Sequence, residues 1–520
     1  MTFWRIWLLS LAAACLLSAG STQPLRLGSR LELFVDDYLI ERVNGAELVL
    51  HHPQRREIVM VTDRPWEGNA CHYRTVFRDG DIFRMFYGAQ HYDPRARPMQ
   101  VRPGVLCYAE SDDGIHWRRP DLNLVSFQGS TKNNIVLNDT SLPAIPQFDS
   151  QRTVIFKDAN PRALPEARYK AITAGKDGLY ALSSPDGFHW SLLNAKPVIT
   201  QGMFDSQNLA FWDTGHQIYR AYIRDFRNPQ TDAMRSAGDK AATQRNIATT
   251  TSRDFLHWSA PRWLRYPGAA EEQLYTSQVT PYERDPHVLL GFPMRYTDRG
   301  WSDAMRRLPG LSDREARSEV SPRYGTVVTD ALFMSSRDGV TFRRWPDAFV
   351  RPGPYADAWV YGDNSVAWGI AQTSAAEVGA PPELSLYSVE HYWQGNATHI
   401  RRHTLRIDGF VSIHASAKGG EFLTRPLVLE GGELSMNFST AASGSVQIEI
   451  QGMDGEPIPG FALANSPVIF GDAIDYIVPW KAGMTLERFS GRTVRLRFML
   501  KDADIYSIRF RTRGEKPEKR

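Results

Sequence analysis

A short phrase that recurs along this chain constrains its fold more than any other feature. The phrase reads Ser-Asp-Asp-Gly-Ile-His-Trp at 111–117 and Ser-Pro-Asp-Gly-Phe-His-Trp at 184–190. It returns as Ser-Arg-Asp-Phe-Leu-His-Trp at 252–258 and, more loosely, as Ser-Arg-Asp-Gly-Val-Thr-Phe at 336–342. A fixed phrase at irregular spacing indicates one supersecondary unit that is repeated, with loops of different length between its strands.

Each repeat also contains three β-rich runs before its phrase. In the first repeat these runs are Tyr73–Phe77, Ile82–Gly88 and Val105–Glu110, separated by turn residues. A last unit, between residues 365 and 407, has such runs but no clear phrase. Three strands, a turn and a fourth strand that carries the Trp form a four-stranded antiparallel sheet. Five such sheets around an axis predict a five-bladed β-propeller.

The phrase itself has a structural interpretation. Its Asp and Gly are typical of a tight turn, because Asp can accept hydrogen bonds from nearby backbone amides and Gly tolerates a positive φ. We expect this turn to join the third and fourth strands of each blade. The Trp that follows is expected to anchor the fourth strand in the packing between blades.

The pattern changes near Val411, where short runs alternate apolar and polar residues with period two. Such runs over a region of this length predict a β-sandwich. No helix of amphipathic period is evident, so we predict an all-β chain, a five-bladed β-propeller followed by a C-terminal β-sandwich. The predicted divisions are a signal peptide at 1–20, an N-terminal arm at 21–66 that packs on or closes the propeller through Leu31–Val35, the propeller at 67–411, the sandwich at 412–513 and a disordered tail at 514–520.

The N-terminus predicts export. Arg5 ends a short positive region, an apolar stretch from Ile6 to Ser18 follows, and small residues then offer a cleavage site. The stretch is too short for a membrane span, and a lipoprotein site at Cys15 is the less favoured alternative. We therefore expect a secreted or periplasmic protein. Cys71 and Cys107 fall on strands two apart in one sheet, which favours two buried thiols over a disulfide.

The bulk properties exclude some partners. The net charge is +3 over 520 residues, and the basic residues are scattered, so nothing indicates nucleic-acid binding. The motifs that mark nucleotide-binding loops, zinc proteases or serine hydrolases are absent from the sequence. We expect no metal, no cofactor, no membrane span and a monomer.

Carboxylates carry the remaining chemical signal. The first strand of each propeller blade lines the central channel, so residues that open these strands converge on one cavity. An acid stands near each opening, and the five positions are Glu67, Asp149, Asp205, Glu272 (beside Glu271) and Asp363. Converging carboxylates perturb one another's pKa values and separate a proton donor from an ionised partner, which is what glycoside hydrolysis requires.

Aromatic and basic residues near the same openings could bind a sugar. Stacking platforms could come from Trp66, Tyr73, Tyr92, Tyr275, Tyr296 and Trp301. An acidic or sulfated sugar could be bound by Arg74, Arg152, Arg224, Arg295 and Arg323, or these arginines could balance the acids. We select Trp66, Arg152, Tyr275, Arg295 and Asp363 as the candidate substrate-binding residues.

Several segments resemble secreted bacterial proteins related to the five-bladed glycoside hydrolases of families thirty-two and forty-three. The resemblance is carried by the phrases, by Leu33–Ile40, by Tyr361–Asn364 and by Arg402–Phe410. It implies a propeller followed by a sandwich and an acid on each of three blades, which here could be Glu67, Asp205 and Glu272. The family's Trp-Met-Asn-Asp-Pro and Glu-Cys motifs are not present.

These observations predict a glycoside hydrolase-like protein that acts on a polysaccharide or oligosaccharide. We expect Glu272 to be the general acid, Asp205 to orient and tune it, and Glu67 or Asp149 to be the nucleophile or base. One alternative is a non-catalytic carbohydrate-binding propeller. The other is a sialidase-like enzyme, which needs three converging arginines and a tyrosine nucleophile.

Overall fold

The structure, a computed structural model, describes residues 23–93, 96, 100–481 and 484–515. The predicted signal peptide and the last five residues of the predicted tail lie outside these ranges. The described chain contains five four-stranded antiparallel sheets and one ten-stranded sheet. The all-β class and the five-bladed propeller predicted from the repeats are therefore confirmed. None of the helices in the described part of the chain has the length and hydrophobicity that crossing a membrane requires.

Each blade is a four-stranded sheet whose strands follow the repeats of the sequence. Blade one contains His72–Asp79, Ile82–Ala89, Val105–Ser111 and Ile135–Asn138. Blade two contains Asp149–Lys157, Tyr169–Gly175, Gly178–Ser184 and Ser191–Leu192. Blade three contains Leu209–Asp213, Ile218–Arg227, Gln244–Ser252 and Arg262–Trp263. Blade four contains Thr280–Tyr282, Asp285–Gly291, Met334–Ser336 and Arg343–Arg344, with Met294–Asp298 and Val327–Ala331 paired beside them.

Blade five is completed by a strand from the opposite end of the chain. Its first three strands are Ala371–Thr373, Glu383–Glu390 and His399–Arg406, and its fourth is Gln54–Val61. Arg55 and Arg401 both bond to the carboxylate of Glu390, which fixes the closing strand by ion pairs. The fifth unit lacks the phrase because its fourth strand does not follow its third in the sequence.

The repeated phrase forms the turn that its composition predicted. Asp113 Oδ1 accepts hydrogen bonds from the backbone N–H groups of Ile115 and His116, both at 2.8 Å. Burial opposes ionisation here, but these bonds and the bond from the His116 ring lower the pKa of Asp113. The indole of Trp117 donates to the carbonyl of Gly114 at 3.1 Å and closes the turn. The phrases of blades two and three repeat this geometry.

Each phrase also packs against the blade before it. Phe188 of blade two lies 5.0 Å from the ring of Tyr108 in blade one, edge to face. Trp117 of blade one contacts Tyr387 of blade five in the same way, at 5.6 Å. In blade one, the expectation that the fourth strand carries the Trp is wrong, because that strand is Ile135–Asn138. A long loop there separates the phrase from the edge of the sheet.

The ten-stranded sheet combines both ends of the chain. Its strands are Leu25–Arg26, Leu31–Leu33, Ile40–Asn44, Ala46–Leu50, Val411–Ala415, Gly420–Thr424, Leu427–Val428, Glu433–Gln451, Asp472–Ile477 and Thr493–Arg511. They surround one apolar core that includes Phe34, Phe438 and Phe498. Leu31–Leu33 pairs with Thr493–Arg511, and Leu31, Leu33 and Val35 share a core with blade four, so this part of the arm packs on the propeller but does not close it.

A buried ion network joins this sheet to blade four. Glu32, fully buried, accepts hydrogen bonds from Arg30 at 2.6 Å and from Arg337 at 2.8 Å. The His287 ring lies between two carboxylates, 3.1 Å from Glu32 and 2.6 Å from Asp285. These three residues have the ligand atoms of a small metal site. Arg30 and Arg337 pair with Glu32, and Arg337 also pairs with Asp36, so the group is held by ion pairs.

Three helices inserted in blade four are a feature that the sequence did not predict. They span Asp303–Arg307, Leu311–Val320 and Arg323–Thr326. The second helix buries Arg314 and Arg317 rather than an apolar stripe. Arg317 donates to the carbonyl of Trp393 at 3.0 Å and Arg314 to that of Trp359 at 2.7 Å. A search for apolar periodicity misses a helix whose inward face consists of arginines.

The two cysteines of the described chain are buried free thiols, as expected. The strand Ile82–Ala89 lies between the strand that contains Cys107 and the strand that follows Cys71. Burial raises the pKa of the Cys71 thiol to about 12, so it stays protonated and unreactive at neutral pH.

Candidate functional site

The first strands of the blades begin at one common end of the central channel. In an antiparallel blade the second strand ends beside the point where the first begins, so loops after the second strands reach the same end. Tyr73 opens the first strand of blade one, and Tyr392 follows the second strand of blade five. Both line one small cavity on the channel axis. This end of the channel is the candidate site.

A layer of polar side chains forms the floor of the site. Gln278 donates to the side-chain oxygen of Gln207 at 2.9 Å and to the carbonyl of Val366 at 2.7 Å. Gln207 in turn donates to the carbonyl of Arg74 at 3.1 Å. These bonds connect blades one, three, four and the segment that opens blade five across the axis. The channel is therefore a pocket with a floor rather than an open pore.

The floor carries an incompletely paired cation. Arg74 is buried at 2 % exposure and lines the cavity, which has a volume of about 40 Å³. Its Nη2 donates to the carbonyl of Cys71 at 2.9 Å, whereas Nε and Nη1 have no partner among the described residues. Burial lowers the pKa of Arg74 to about 10. The guanidinium is still charged at neutral pH, and its positive field adds to that of the pocket.

Aromatic side chains form the wall above this floor. This aromatic cluster consists of Tyr73, Tyr92, Tyr275, Tyr296, Tyr324, Tyr361, Tyr392 and Trp393. Tyr275 and Tyr296 are stacked at 6.4 Å, and Tyr324 meets Trp393 edge to face at 4.8 Å. Aromatic faces of this kind bind the apolar faces of sugar rings while their hydroxyl groups offer hydrogen bonds.

The backbone is strained around this cluster. Positive φ angles occur at Tyr73 (54°), Gln278 (49°), Asn364 (64°) and Trp393 (59°). Residues other than glycine adopt this region at an energetic cost, and such residues concentrate at functional sites where neighbouring contacts hold them. Four such residues surround this end of the channel, which indicates that the contacts of their side chains hold a strained backbone there.

Two of the predicted acids lie at this site, each beside an arginine. Asp149 bonds to Arg152, which lies within electrostatic range of Tyr73, Tyr92 and Tyr275. Burial raises the pKa of Asp149, although Arg152 opposes the shift. One of its oxygens, Oδ1, is buried and has no hydrogen-bond partner in the described chain.

Asp205 is the second acid at the channel end. Its side chain is 57 % exposed and pairs with Arg224, whose side chain is 1 % exposed. Its backbone carbonyl accepts hydrogen bonds from Tyr275 at 2.8 Å and from Tyr73 at 3.3 Å. The structure therefore brings together four of the predicted site residues, which are Asp149, Arg152, Asp205 and Tyr275.

Glu67 lies inside blade one instead. It is completely buried, and it accepts hydrogen bonds from Tyr87 at 2.5 Å and from Arg119 at 2.7 Å. Burial raises its pKa, while Arg119 acts against the shift. Trp66 beside it donates to Asn134 at 2.6 Å and packs on Phe127. Both residues have structural contacts within the blade and are absent from the cavity lining.

Glu272 and Arg295 lie on the far side of a strand from the cavity. Side chains alternate along a strand, and Met294 and Tyr296 point to the aromatic cluster, so Arg295 between them points away. Arg295 bonds to Asp330 at 2.7 Å and to Glu272 at 2.8 Å. Glu272 also pairs with Arg344 at 2.9 Å. These groups form an ion network between blades three and four.

Asp363 supports the site from beneath. It is fully buried, and its carboxylate accepts a hydrogen bond from the backbone N–H of Tyr392 at 2.8 Å. Burial raises its pKa well above the ordinary value. The residue positions the Tyr392 loop of the aromatic cluster rather than facing the cavity.

Sequence reasoning missed part of the site. Tyr324, Tyr392, Trp393 and Arg245 were not candidates, although they belong to the aromatic cluster or contact it. Tyr392 and Trp393 follow the second strand of blade five, and Arg245 lies at the start of the third strand of blade three. Tyr324 lies in the helical insertion of blade four. The antiparallel connectivity of a blade could have indicated the first two groups, because these positions share the end where first strands begin.

The fold and this site together define a five-bladed β-propeller with an aromatic, arginine-rich pocket at one end of its channel. Among solved structures, the chain is similar to a protein described as a glycoside hydrolase, with 14 % identity, 68 % of this chain and 92 % of that chain covered, and a TM-score of 0.42. It is also similar to a family 32 β-fructofuranosidase of Bombyx mori, with 10 % identity, coverage of 89 % and 94 %, and a TM-score of 0.36.

A third similar structure is an endo-arabinase of Bacteroides thetaiotaomicron, with 9 % identity, 67 % of this chain and 98 % of that chain covered, and a TM-score of 0.36. No family model matches the chain, and no curated protein matches it. The resemblance noted in the sequence is confirmed at the level of the propeller fold.

Proposed function

We propose that this protein is an exported glycoside hydrolase that binds a polysaccharide or oligosaccharide in the aromatic pocket, with Asp149 and Asp205 as its carboxylate pair. The observation that carries the proposal is the meeting of these two acids around Tyr73 and Tyr275. The backbone carbonyl of Asp205 lies within hydrogen-bond distance of both tyrosine hydroxyl groups, and Arg152, the partner of Asp149, interacts electrostatically with the same two tyrosines.

The two acids have different environments, as acid–base catalysis requires. Asp149 is largely buried with a raised pKa and a free Oδ1, which suits a proton donor to the glycosidic oxygen. Asp205 is half exposed and ion-paired with Arg224, which suits an ionised carboxylate. Asp205 would act as nucleophile or base on the opposite side of the sugar.

The contacts of Glu67 and Glu272 make these two predicted acids weaker candidates for catalysis. Glu67 is bonded to Arg119 inside blade one, and Glu272 is bonded to Arg295 and Arg344 between blades three and four. Their predicted roles as nucleophile and general acid are therefore the weaker form of the proposal, and the same experiment tests them. For the sialidase-like alternative, burial raises the pKa of Tyr275, which disfavours the phenolate that such a nucleophile needs.

A glycan-panel assay of the mature protein tests the proposal. We expect turnover by the wild type, a loss of about 10²-fold or more in Asp149→Asn and Asp205→Asn, and near-normal rates in Glu272→Gln. Loss of turnover in Glu272→Gln with retention in Asp149→Asn would instead identify Glu272 as the general acid, as the sequence predicted. Binding without turnover by any protein in the set would identify a non-catalytic carbohydrate-binding propeller.

A further inference from the structure

The pocket carries more positive than negative charge. Four arginines contact or face the aromatic cluster, and they are Arg152, Arg224, Arg245 and Arg323. Two of them pair with a carboxylate, Arg152 with Asp149 and Arg224 with Asp205. In the described part of the chain, Arg245 and Arg323 form no ion pair with a carboxylate. Arg74 in the floor adds a further positive charge.

Arg224 and Arg245 form the centre of this positive patch. Both guanidinium groups contact the ring of Phe226, at 4.7 Å and 5.1 Å from its centroid. Arg245 also lies 4.2 Å from the ring of Tyr296 and donates to Gln273 at 2.9 Å. The Nε atoms of both arginines are buried without a hydrogen-bond partner among the described residues.

Two buried guanidinium groups near one another repel. Burial and the neighbouring Arg245 both lower the pKa of Arg224, which expresses this cost. An anion between the two groups and the pocket would relieve the repulsion and satisfy the free donors. The planar fork of a guanidinium matches a carboxylate or a sulfate, with two parallel hydrogen bonds.

We propose that the glycan bound in this pocket carries an anionic substituent, a carboxylate or a sulfate, which Arg224 and Arg245 bind while the tyrosines contact the sugar ring. The inference rests on the proposed function, because it names the substrate class of the same site. Arg152 and Arg323 extend the positive field along the aromatic cluster toward neighbouring sugar units.

The test compares charged and neutral members of matched glycan pairs by calorimetry with the mature protein. One pair is an oligogalacturonide and its methyl ester, and the other is a sulfated galactan and its desulfated form. We expect one charged member to bind at least about tenfold tighter than its neutral partner. The pair that shows the difference identifies the substituent.

Variants locate the effect. Arg245→Gln is expected to remove most of the preference for the charged member, Arg245→Lys to retain part of it, and Arg26→Gln on the distant ten-stranded sheet to leave it unchanged. Equal or tighter binding of the neutral members, with the pocket still active, overturns this inference and leaves the proposed function intact. Failure of every glycan to bind overturns both.

Discussion

The hydroxyl groups of Tyr73 and Tyr275 lie 3.0 Å apart and join blade one to blade four across the channel. These blades are not neighbours in the ring of five, so the bond spans the axis itself. The backbone carbonyl of Asp205 from blade three lies within hydrogen-bond distance of both hydroxyl groups, 2.8 Å from Tyr275 and 3.3 Å from Tyr73. One short network of Tyr73, Tyr275 and the Asp205 backbone therefore joins three blades at the candidate site.

Removing one hydroxyl from this network should weaken ligand binding more than folding. Tyr275→Phe keeps the ring but loses its bonds to Tyr73 and Asp205. We expect glycan affinity to fall about threefold to tenfold, the range for one or two neutral hydrogen bonds, with a small change in the unfolding midpoint. Calorimetry and urea unfolding measure the two effects. Unchanged affinity would show that the network does not position the site.

The activity should depend on pH through Asp149. A proton donor works only while protonated, so activity is lost as pH rises through its pKa. Burial raises that pKa and Arg152 lowers it. Arg152→Gln should therefore move the falling limb of the kcat/KM profile to higher pH. A limb that stays in place or moves to lower pH contradicts the assignment of Asp149 as the donor.

The buried network between the ten-stranded sheet and blade four should make stability pH-dependent. Burial raises the pKa of Asp285 to about 6, and bonds to Asp285 and Glu32 raise the pKa of His287 against its burial. Both groups hold protons more tightly in the folded state, so their contribution to stability is lost as pH rises through these pKa values.

His287→Gln tests this dependence. Urea unfolding at about pH 5 and about pH 8, on either side of an ordinary histidine pKa, should show a smaller loss of stability in the variant than in the wild type. Glu32, whose pKa is lowered to about 2, stays ionised throughout and does not confuse the comparison. Equal losses in both proteins would exclude His287 as the source.

The phrase offers a matched pair of adjacent acids. Asp113 accepts two backbone hydrogen bonds inside the turn, whereas Asp112 forms an exposed ion pair with Arg118. We expect Asp113→Ala to lower the free energy of unfolding by about 1–2 kcal/mol, as loss of a capping residue does, and Asp112→Ala to leave it nearly unchanged, because an exposed ion pair contributes little. Equal effects would mean that the turn bonds contribute nothing.

The closing strand should be indispensable. A protein that lacks residues 1–62 loses Gln54–Val61, the fourth strand of blade five, together with four short strands of the ten-stranded sheet, and exposes the edge of His399–Arg406. We expect aggregation or rapid proteolysis of this truncation. A protein that lacks only residues 1–22 keeps every described strand and should unfold like the full chain in the same assay. Equal protease resistance of the two would contradict ring closure by this strand.

The repeats made the propeller predictable because each phrase carries its own turn chemistry. Asp113 and Trp117 satisfy local bonds that depend on the phrase alone. The closing strand could not be found in this way, because Gln54–Val61 contains no phrase and its partner lies far along the chain. The helix Leu311–Val320 escaped notice because arginines form its buried face.

The sequence indicated where the candidate site lies more completely than it indicated which residues form it. The first-strand openings predicted one channel end as the site, and the structure places Asp149, Asp205 and Tyr275 near it. The same reasoning could not tell that Glu67 would face Arg119 inside a blade, since one residue of shift turns a side chain to the other face. Residues such as Trp393 come from loops whose path depends on tertiary contacts.

Closure of blade five by a strand from early in the sequence constrains the order in which the propeller can fold. Gln54–Val61 leaves the ribosome before any blade exists, yet its partner His399–Arg406 is made more than three hundred residues later. Until His399–Arg406 has been synthesised, the ring of blades cannot close and Gln54–Val61 has no partner strand in blade five. Contacts so distant in sequence slow folding.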